Sequence, residues 1–147
     1  MKIDWGAVDT VMPPTVARFF PVEETERSKA GAGYLAANNS VIHHYGMRRM
    51  KGQSDNYRPM SMIAQVADVK STLVSVHRLL EAGNRVHFEQ GNCYVEHVTT
   101  KRRTDIIERN GAFEVGFWVP QALTNPPKEG SVKTRPGQTF ARQDATA

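Results

Sequence analysis

The sequence predicts a mostly β protein, a small closed or folded-over β-barrel with one short helix in its second half. Two patterns predict this class. Short β-prone runs recur at close spacing with turn residues between them, and a single segment has the three-to-four spacing of an amphipathic helix. The length of 147 residues suits one domain with one core. The 39% apolar and 23% charged shares are those of an ordinary globular chain.

Four hairpins account for most of the predicted strands. In each of them, two β-prone runs flank residues that favour a turn. The turn segments are Asn38-Asn39-Ser40, Gly52 to Arg58, Gln90-Gly91-Asn92 and Asn110-Gly111. The last is the strongest signal, because asparagine and glycine tolerate the positive φ angles of a tight type I′ turn.

One helix is predicted, from Ser75 to Ala82. Its apolar residues recur at helical spacing, and Gly83-Asn84 supplies a stop signal at its C-terminal end. A domain boundary is predicted at Pro120. Residues 1–119 form the predicted domain, whereas residues 120–147 are rich in proline and glycine without hydrophobic periodicity, which is typical of a flexible, here basic, tail.

Composition limits the environment and the partners of the chain. No apolar run approaches the ~18 residues needed to span a bilayer, and the first residues are too polar for a signal peptide. We therefore expect an intracellular, cytoplasmic protein without membrane contact. The single cysteine, Cys93, excludes an internal disulfide and a cysteine zinc cluster.

The chain is basic, with a formal charge of +4 and a pI of about 9.4, which suits weak contact with nucleic acid. The excess charge is diffuse. The densest clusters, Arg48-Arg49 and Lys101-Arg102-Arg103, are expected to be solvated surface.

The histidines and methionines are expected to be structural. His87 and His97 could face each other across a hairpin, but no carboxylate or cysteine set completes a metal shell, so we expect neither metal nor cofactor. Four methionines are expected to fill the core rather than to form a binding surface. They are Met47, Met50, Met60 and Met62.

An Asp-x-Gly sequence near the start is the main candidate for chemistry. Asp4-Trp5-Gly6-Ala7 follows the apolar Ile3. A carboxylate at a strand end that is followed by glycine lies in a tight loop, where the glycine amide can donate a hydrogen bond to it. This short motif is common in ordinary turns, so its surroundings decide its meaning.

Those surroundings resemble the retropepsin-like aspartic proteases of retroviruses and copia-type retrotransposons. Three segments carry the resemblance in the order found in that family. Asp4 to Val11 is similar to the active-site segment, Tyr34 to Ile42 to the flap hairpin, and Leu73 to Leu80 to the apolar stretch that opens a helix, followed by Gly83 and the strand-like Arg85 to Phe88. The similarity spans Ile3 to Val119 and implies a β-barrel of the acid-protease type.

The resemblance also implies a function. Aspartic proteases need two adjacent carboxylates, and a homodimer would supply Asp4 twice, with Trp5, Gly6 and Ala7 completing each active-site loop. Two carboxylates about 3 Å apart share one proton and activate a water that attacks a peptide bond. The implied substrate is a peptide or polyprotein. By resemblance Asp9 lines a substrate pocket, and Asn38, Asn39 and Ser40 lie near the flap tip.

Two departures from the family pattern keep other functions open. Trp5 stands where the family has Ser or Thr, and an indole offers only a donor where the hydroxyl both donates and accepts. Only three residues precede Asp4, whereas the family has upstream strands. The first alternative is therefore an impaired protease-like module that dimerises or binds peptide. The second is a basic, nucleic-acid-associated protein of a mobile element.

Overall fold

The computed structural model describes residues 1–120 and 140–142. Strands take 45% of the described residues and helices 8%, which confirms the mostly β class. The elements in chain order are β1 Lys2–Asp4, β2 Val11–Met12, α1 Glu26–Lys29, β3 Tyr34–Leu35, β4 Val41–Ile42, β5 His44–Gln53, β6 Pro59–Ala67, β7 Leu73–Ser75, α2 Val76–Glu81, β8 Asn84–His87, β9 Tyr94–His97, β10 Arg103–Arg109, β11 Ala112–Val115, β12 Trp118–Pro120 and β13 Phe140–Arg142.

Eleven of these strands form one sheet, and β3 and β4 form a separate hairpin. The order in the sheet is β13-β12-β5-β6-β2-β7-β1-β11-β10-β9-β8. Its two end strands are not neighbours, so the described residues form an open sheet and no closed barrel. A folded-over sheet of the acid-protease type stays a prediction.

All four predicted hairpins are present, as the pairs β3–β4, β5–β6, β8–β9 and β10–β11. The tightest turn is the one that the sequence indicates most strongly. Arg109 pairs with Ala112, and the two residues between them have φ angles of 53° at Asn110 and 78° at Gly111. Local turn chemistry therefore determined these connections.

The predicted helix is α2, and it begins after Ser75 and ends before Ala82. The other helix, α1, was not predicted. It spans only four residues and is held by a capping box between Thr25 and Ser28. A single turn is too short to show helical periodicity, so the sequence gives no hydrophobic signal for it. Neither helix in the described part of the chain is long or apolar enough to cross a bilayer.

The core lies where β2, β5, β6, β7 and β12 meet. Its largest fully buried side chains include Phe117, Met12, Met50, Val66 and Val74. Met60 and Met62 are half-buried and pack against this cluster. Of the four methionines expected in the core, Met50 is therefore fully buried, and Met60 and Met62 also contact solvent. Met47 is half-buried and lies outside this cluster.

Arg48 is not solvated surface, so the prediction for it was wrong. Its side chain lies on the core face of β5 and is only 5% exposed. The guanidinium donates to three backbone carbonyls of the segment before α1, those of Pro14 at 3.0 Å, Val16 at 2.6 Å and Phe20 at 2.8 Å. Burial, with a smaller contribution from Arg18, lowers the pKa of Arg48. One buried guanidinium thus supplies hydrogen-bond donors to three backbone carbonyls of an irregular segment.

The edge of β1 that faces away from β7 carries β11. Lys2 pairs with Glu114, and the backbone nitrogen of Met1 donates to the carbonyl of Val115 at 3.0 Å. The strand beside β1 on this side therefore arises late in the sequence.

The predicted tail falls mostly outside the described residues. Residues 121–139 and 143–147 are not described. Residues 140–142 form β13, which pairs with β12. The predicted domain boundary at Pro120 stays a prediction.

Replacing Arg48 with methionine should destabilise the fold, because three carbonyls would lose their donors while the side-chain volume is nearly kept. We expect the free energy of unfolding to fall by about 3 kcal/mol, measured by urea denaturation. The matched control is Arg49→Met, since Arg49 is the exposed neighbour and, among the described residues, forms an ion pair with Glu23 alone. Its loss should be much smaller. Equal losses in the two variants would contradict the role given to Arg48.

Candidate functional site

Asp4 lies at the carboxyl end of β1, beside the start of α2. Strands β1 and β7 are parallel, and their register pairs Asp4 with Ser75. Because the carboxyl ends of parallel strands meet at one edge, the loop after β1 and the helix after β7 leave the sheet together. This edge contains the loop of residues 4–10, which we call the Asp4 loop.

The turn at Asp4 has the hydrogen bond expected from the Asp-x-Gly sequence. The amide of Gly6 donates to Oδ1 of Asp4 at 2.8 Å, and Asp4 is half-buried. The apolar side chains on either side of the glycine and alanine are exposed, with 65% of Trp5 and 68% of Val8 accessible. The carboxyl group is therefore near the surface, beside an uncovered apolar rim.

Ser75 holds the Asp4 loop in place through hydrogen bonds. It is fully buried, and its hydroxyl donates to the carbonyl of Ala7 at 2.7 Å and accepts from the amide of Arg78 at 3.2 Å. Its amide donates to the hydroxyl of Thr10 at 3.1 Å. One serine thus caps α2 and satisfies the loop backbone at the same time.

Asp9 is held by a network of ion pairs and hydrogen bonds. Its side chain is 11% exposed, and Oδ1 accepts from Arg78 at 2.8 Å from Nε and 2.6 Å from Nη2. Oδ2 accepts from the hydroxyl of Tyr34 at 3.2 Å. Asp9 was expected to line a substrate pocket. It does line a groove, but both of its oxygens already have partners, so it connects α2 with the β3–β4 hairpin.

Tyr34 anchors this hairpin. The guanidinium of Arg27 lies 4.2 Å from the centre of the Tyr34 ring and donates to the carbonyl of Gly33 at 3.2 Å. Burial and the neighbouring carboxylate of Asp9 raise the pKa of Tyr34 to about 12. The base of the hairpin is therefore fixed to α1 and to the Asp4 loop.

The tip of the hairpin contains the three residues that the resemblance places there. Asn38, Asn39 and Ser40 are all exposed, and Asn39 has a φ of 65°. Oδ1 of Asn38 accepts from the amide of Ser40 at 3.1 Å and from its hydroxyl at 2.6 Å. The strands beside the tip expose 73% of Leu35 and 72% of Val41. Leu35 and Val41 are partners across the two strands, so they form one exposed apolar patch beside the polar tip.

Trp5 packs against a strand neighbour rather than against the core. Its ring centre lies 5.0 Å from that of Phe88, which in turn lies 4.8 Å from Phe113. This aromatic row connects the indole through Phe88 to β11 and leaves most of the indole exposed. No hydroxyl occupies this position to connect two Asp4 loops.

The described residues contain no group of three or more His, Cys, Asp or Glu side chains that could hold a metal ion. The suggested pairing of His87 with His97 was wrong. His87 pairs with Tyr94, and His97 pairs with Asn84, at opposite ends of the β8–β9 hairpin. Strand register separates the two imidazoles.

Sequence reasoning missed four residues that organise the site, namely Arg27, Tyr34, Ser75 and Arg78. Only one of them had a signal that identifies its role. A serine directly before an amphipathic helix is a typical N-cap. The other three contact Asp9 from 18 or more positions away, and one sequence contains no signal for such pairing.

Replacing Asp9 with asparagine should loosen the connection between α2 and the hairpin, because the charge that Arg78 and Tyr34 share is removed. We expect the free energy of unfolding to fall by about 1 to 2 kcal/mol, measured by urea denaturation. Asp68→Asn is the control, because within the described part of the chain the Asp68 carboxylate accepts a single hydrogen bond, from the hydroxyl of Tyr45, at an exposed position. Its effect should be smaller, and a reversed order would refute the network.

The raised pKa of Tyr34 predicts a loss of stability in alkali. Its phenol ionises near 10.0 when unfolded and near 12 when folded, so above pH 10 the folded state holds more protons than the unfolded state. The stabilising contribution is complete below pH 10 and is lost as the pH rises through about 12. Urea denaturation across this range should show a steeper decline in the parent than in Tyr34→Phe. Parallel declines would show that Tyr34 titrates normally.

Comparison of the chain with protein-family models, with curated proteins and with solved structures finds no match. The meaning of the site therefore depends on its own geometry and chemistry. These are a half-buried carboxyl group in a loop fixed by Ser75, an exposed apolar rim and an anchored hairpin.

Proposed function

We propose that the chain is an aspartic endopeptidase of retroelement type, with a sheet of the acid-protease type, which works as a homodimer with Asp4 as the catalytic carboxylate. The observation that carries this proposal is the position of Asp4. It is half-buried at the carboxyl end of β1, in a loop whose backbone Ser75 holds in place, and the exposed Trp5 lies beside it.

A dimer supplies the second carboxylate that one chain lacks. A two-fold axis beside the Asp4 loop would bring each Asp4 against its copy, and burial of the Trp5 and Val8 side chains would favour that contact. At about 3 Å the two carboxylates hold one proton between them. The ionised one takes a proton from water, which attacks the peptide carbonyl, and the protonated one donates to the developing oxyanion.

The β3–β4 hairpin supports an extended peptide as the substrate. Its exposed side chains, Leu35 and Val41, offer apolar contacts, and its tip carries backbone and side-chain groups of Asn38, Asn39 and Ser40. An extended peptide between such a hairpin and the Asp4 loop would gain strand-like hydrogen bonds, with alternate side chains on either face. A polyprotein linker has the required extended form.

Trp5 favours a second candidate, a module of the same fold that dimerises and binds peptide without cutting it. The indole has one donor and no acceptor, so it cannot link two Asp4 loops as a hydroxyl would. Its contact with Phe88 also places a large ring beside the carboxyl group. Catalytic geometry tolerates little displacement, so this module would bind substrate and leave it intact.

The two candidates differ in what substitutions at Asp4 and Trp5 do. With a peptide library at about pH 5, the parent should cleave and Asp4→Asn should lose at least about 100-fold of that activity, because asparagine cannot transfer the proton. Trp5→Ser should raise the rate if the indole only impairs the loop. Mass spectrometry of the products measures both changes.

Sedimentation at several protein concentrations measures dimerisation and provides the control. Asp4→Asn should dimerise as the parent does, because asparagine keeps the shape of Asp4. Cleavage that persists in Asp4→Asn, or a parent that stays monomeric while it cleaves, would overturn the enzyme proposal. Cleavage by Trp5→Ser alone would establish the impaired module.

A further inference from the structure

A groove of about 1230 Å³ runs beside the β5–β6 hairpin, and no residue from Asp4 to Val8 lines it. One wall is made by consecutive residues of β6 from Pro59 to Ile63. Successive side chains of a strand point to opposite faces of the sheet. A groove that contacts all of them therefore runs along the backbone edge of the strand.

Within the described residues, this edge of β6 is open from Pro59 to Ala64. Strand β2 pairs only with Gln65 and Val66, so Pro59 to Ala64 pair on one side, with β5. Ser61 and Ile63 are exposed, and the accessible fraction of Ile63 is 50%. An exposed strand edge is a template for pairing with another polypeptide.

The register shows which backbone groups face the groove. The amide of Gln65 donates to the carbonyl of Thr10 at 2.8 Å, so the backbone groups of Gln65 point away from β5. In an antiparallel pair this orientation alternates, so the groups of Ile63 and Ser61 point the same way. Pro59 has the same orientation, and proline is tolerated where no ladder bond is lost. Two amides and three carbonyls thus face the groove.

The walls of the groove are apolar and cationic. Its apolar lining includes Met60, Met62, Ile63, Leu79 and Val95. Lys51, Arg58 and Arg102 also line it, and none of these three forms an ion pair within the described part of the chain. The carboxylates in the lining, Asp9 and Glu81, are both bound by Arg78. Uncompensated positive charge therefore surrounds the open edge.

We propose that the open edge of β6 binds an extended peptide segment of another protein in which acidic and apolar residues alternate. The edge supplies strand hydrogen bonds, the methionines adapt to apolar side chains, and the three cations attract carboxylates. A second copy of this chain fits poorly, because two such edges would bring like charges together. The aromatic rings in the lining are those of Phe20 and His97, both half-buried, so the groove lacks the row of exposed aromatic side chains on which single-stranded nucleic acid stacks.

Ser61→Pro tests the edge directly, because proline removes an amide that faces the groove and leaves the ladder with β5 intact. The probe is a fluorescein-labelled short peptide of alternating Glu and Val, and anisotropy measures its binding. We expect Ser61→Pro to weaken binding roughly tenfold, as loss of one edge hydrogen bond implies. In the parent, bound peptide should slow hydrogen exchange at the amides of Ser61 and Ile63.

A second variant keeps the test decisive if proline unfolds the hairpin. Arg58→Glu combined with Arg102→Glu should weaken binding more than Lys70→Glu, since Lys70 is exposed and does not line the groove. Asp4→Asn should bind the probe as the parent does, which separates this site from the protease proposal. Equal binding of a Lys and Val peptide, unchanged exchange at Ser61, or displacement of the probe by oligothymidylate would overturn the inference.

Discussion

The buried hydroxyl of Ser75 is the contact on which the geometry of the site depends. It joins the Asp4 loop to the junction of β7 and α2, which lies 65 or more residues later in the chain. A loop that leaves the core exposes backbone carbonyls which need donors, and Ser75 supplies one to Ala7 while its amide binds Thr10. With the loop fixed, Asp4 has one defined position at the end of β1.

Two charged side chains, Asp9 and Arg48, hold neighbouring segments through hydrogen bonds in the same way. Asp9 connects the loop to α2 and to the hairpin, and Arg48 satisfies the carbonyls of the segment that leads to α1. Both are charged side chains with little exposure, and each has hydrogen-bond partners that offset the cost of burying its charge. The irregular segments near the site are therefore held by polar contacts in addition to apolar packing, since Ala17 lies in the core cluster and Val16 and Phe20 pack against it.

The surfaces left uncovered are of two kinds. Around the Asp4 loop and the hairpin, the exposed side chains include large apolar ones, as at Trp5 and Leu35, which suits contact with a copy of the chain or with a peptide. Along β6 the uncovered feature is a backbone edge with cations beside it. The first kind supports a symmetric partner, whereas the charge of the second disfavours one.

The sequence by itself determined what is local. The turn at Asn110-Gly111, the helix after Ser75 and the hydrogen bond within Asp4-Trp5-Gly6 follow from residues a few positions apart, where propensity and sterics act directly. Only the tertiary structure decided that Arg48 is buried, that Asp9 pairs with Arg78, and that β11 lies beside β1. These depend on partners brought close by the sheet order, and a charged or apolar residue in one sequence does not specify which distant group it will meet.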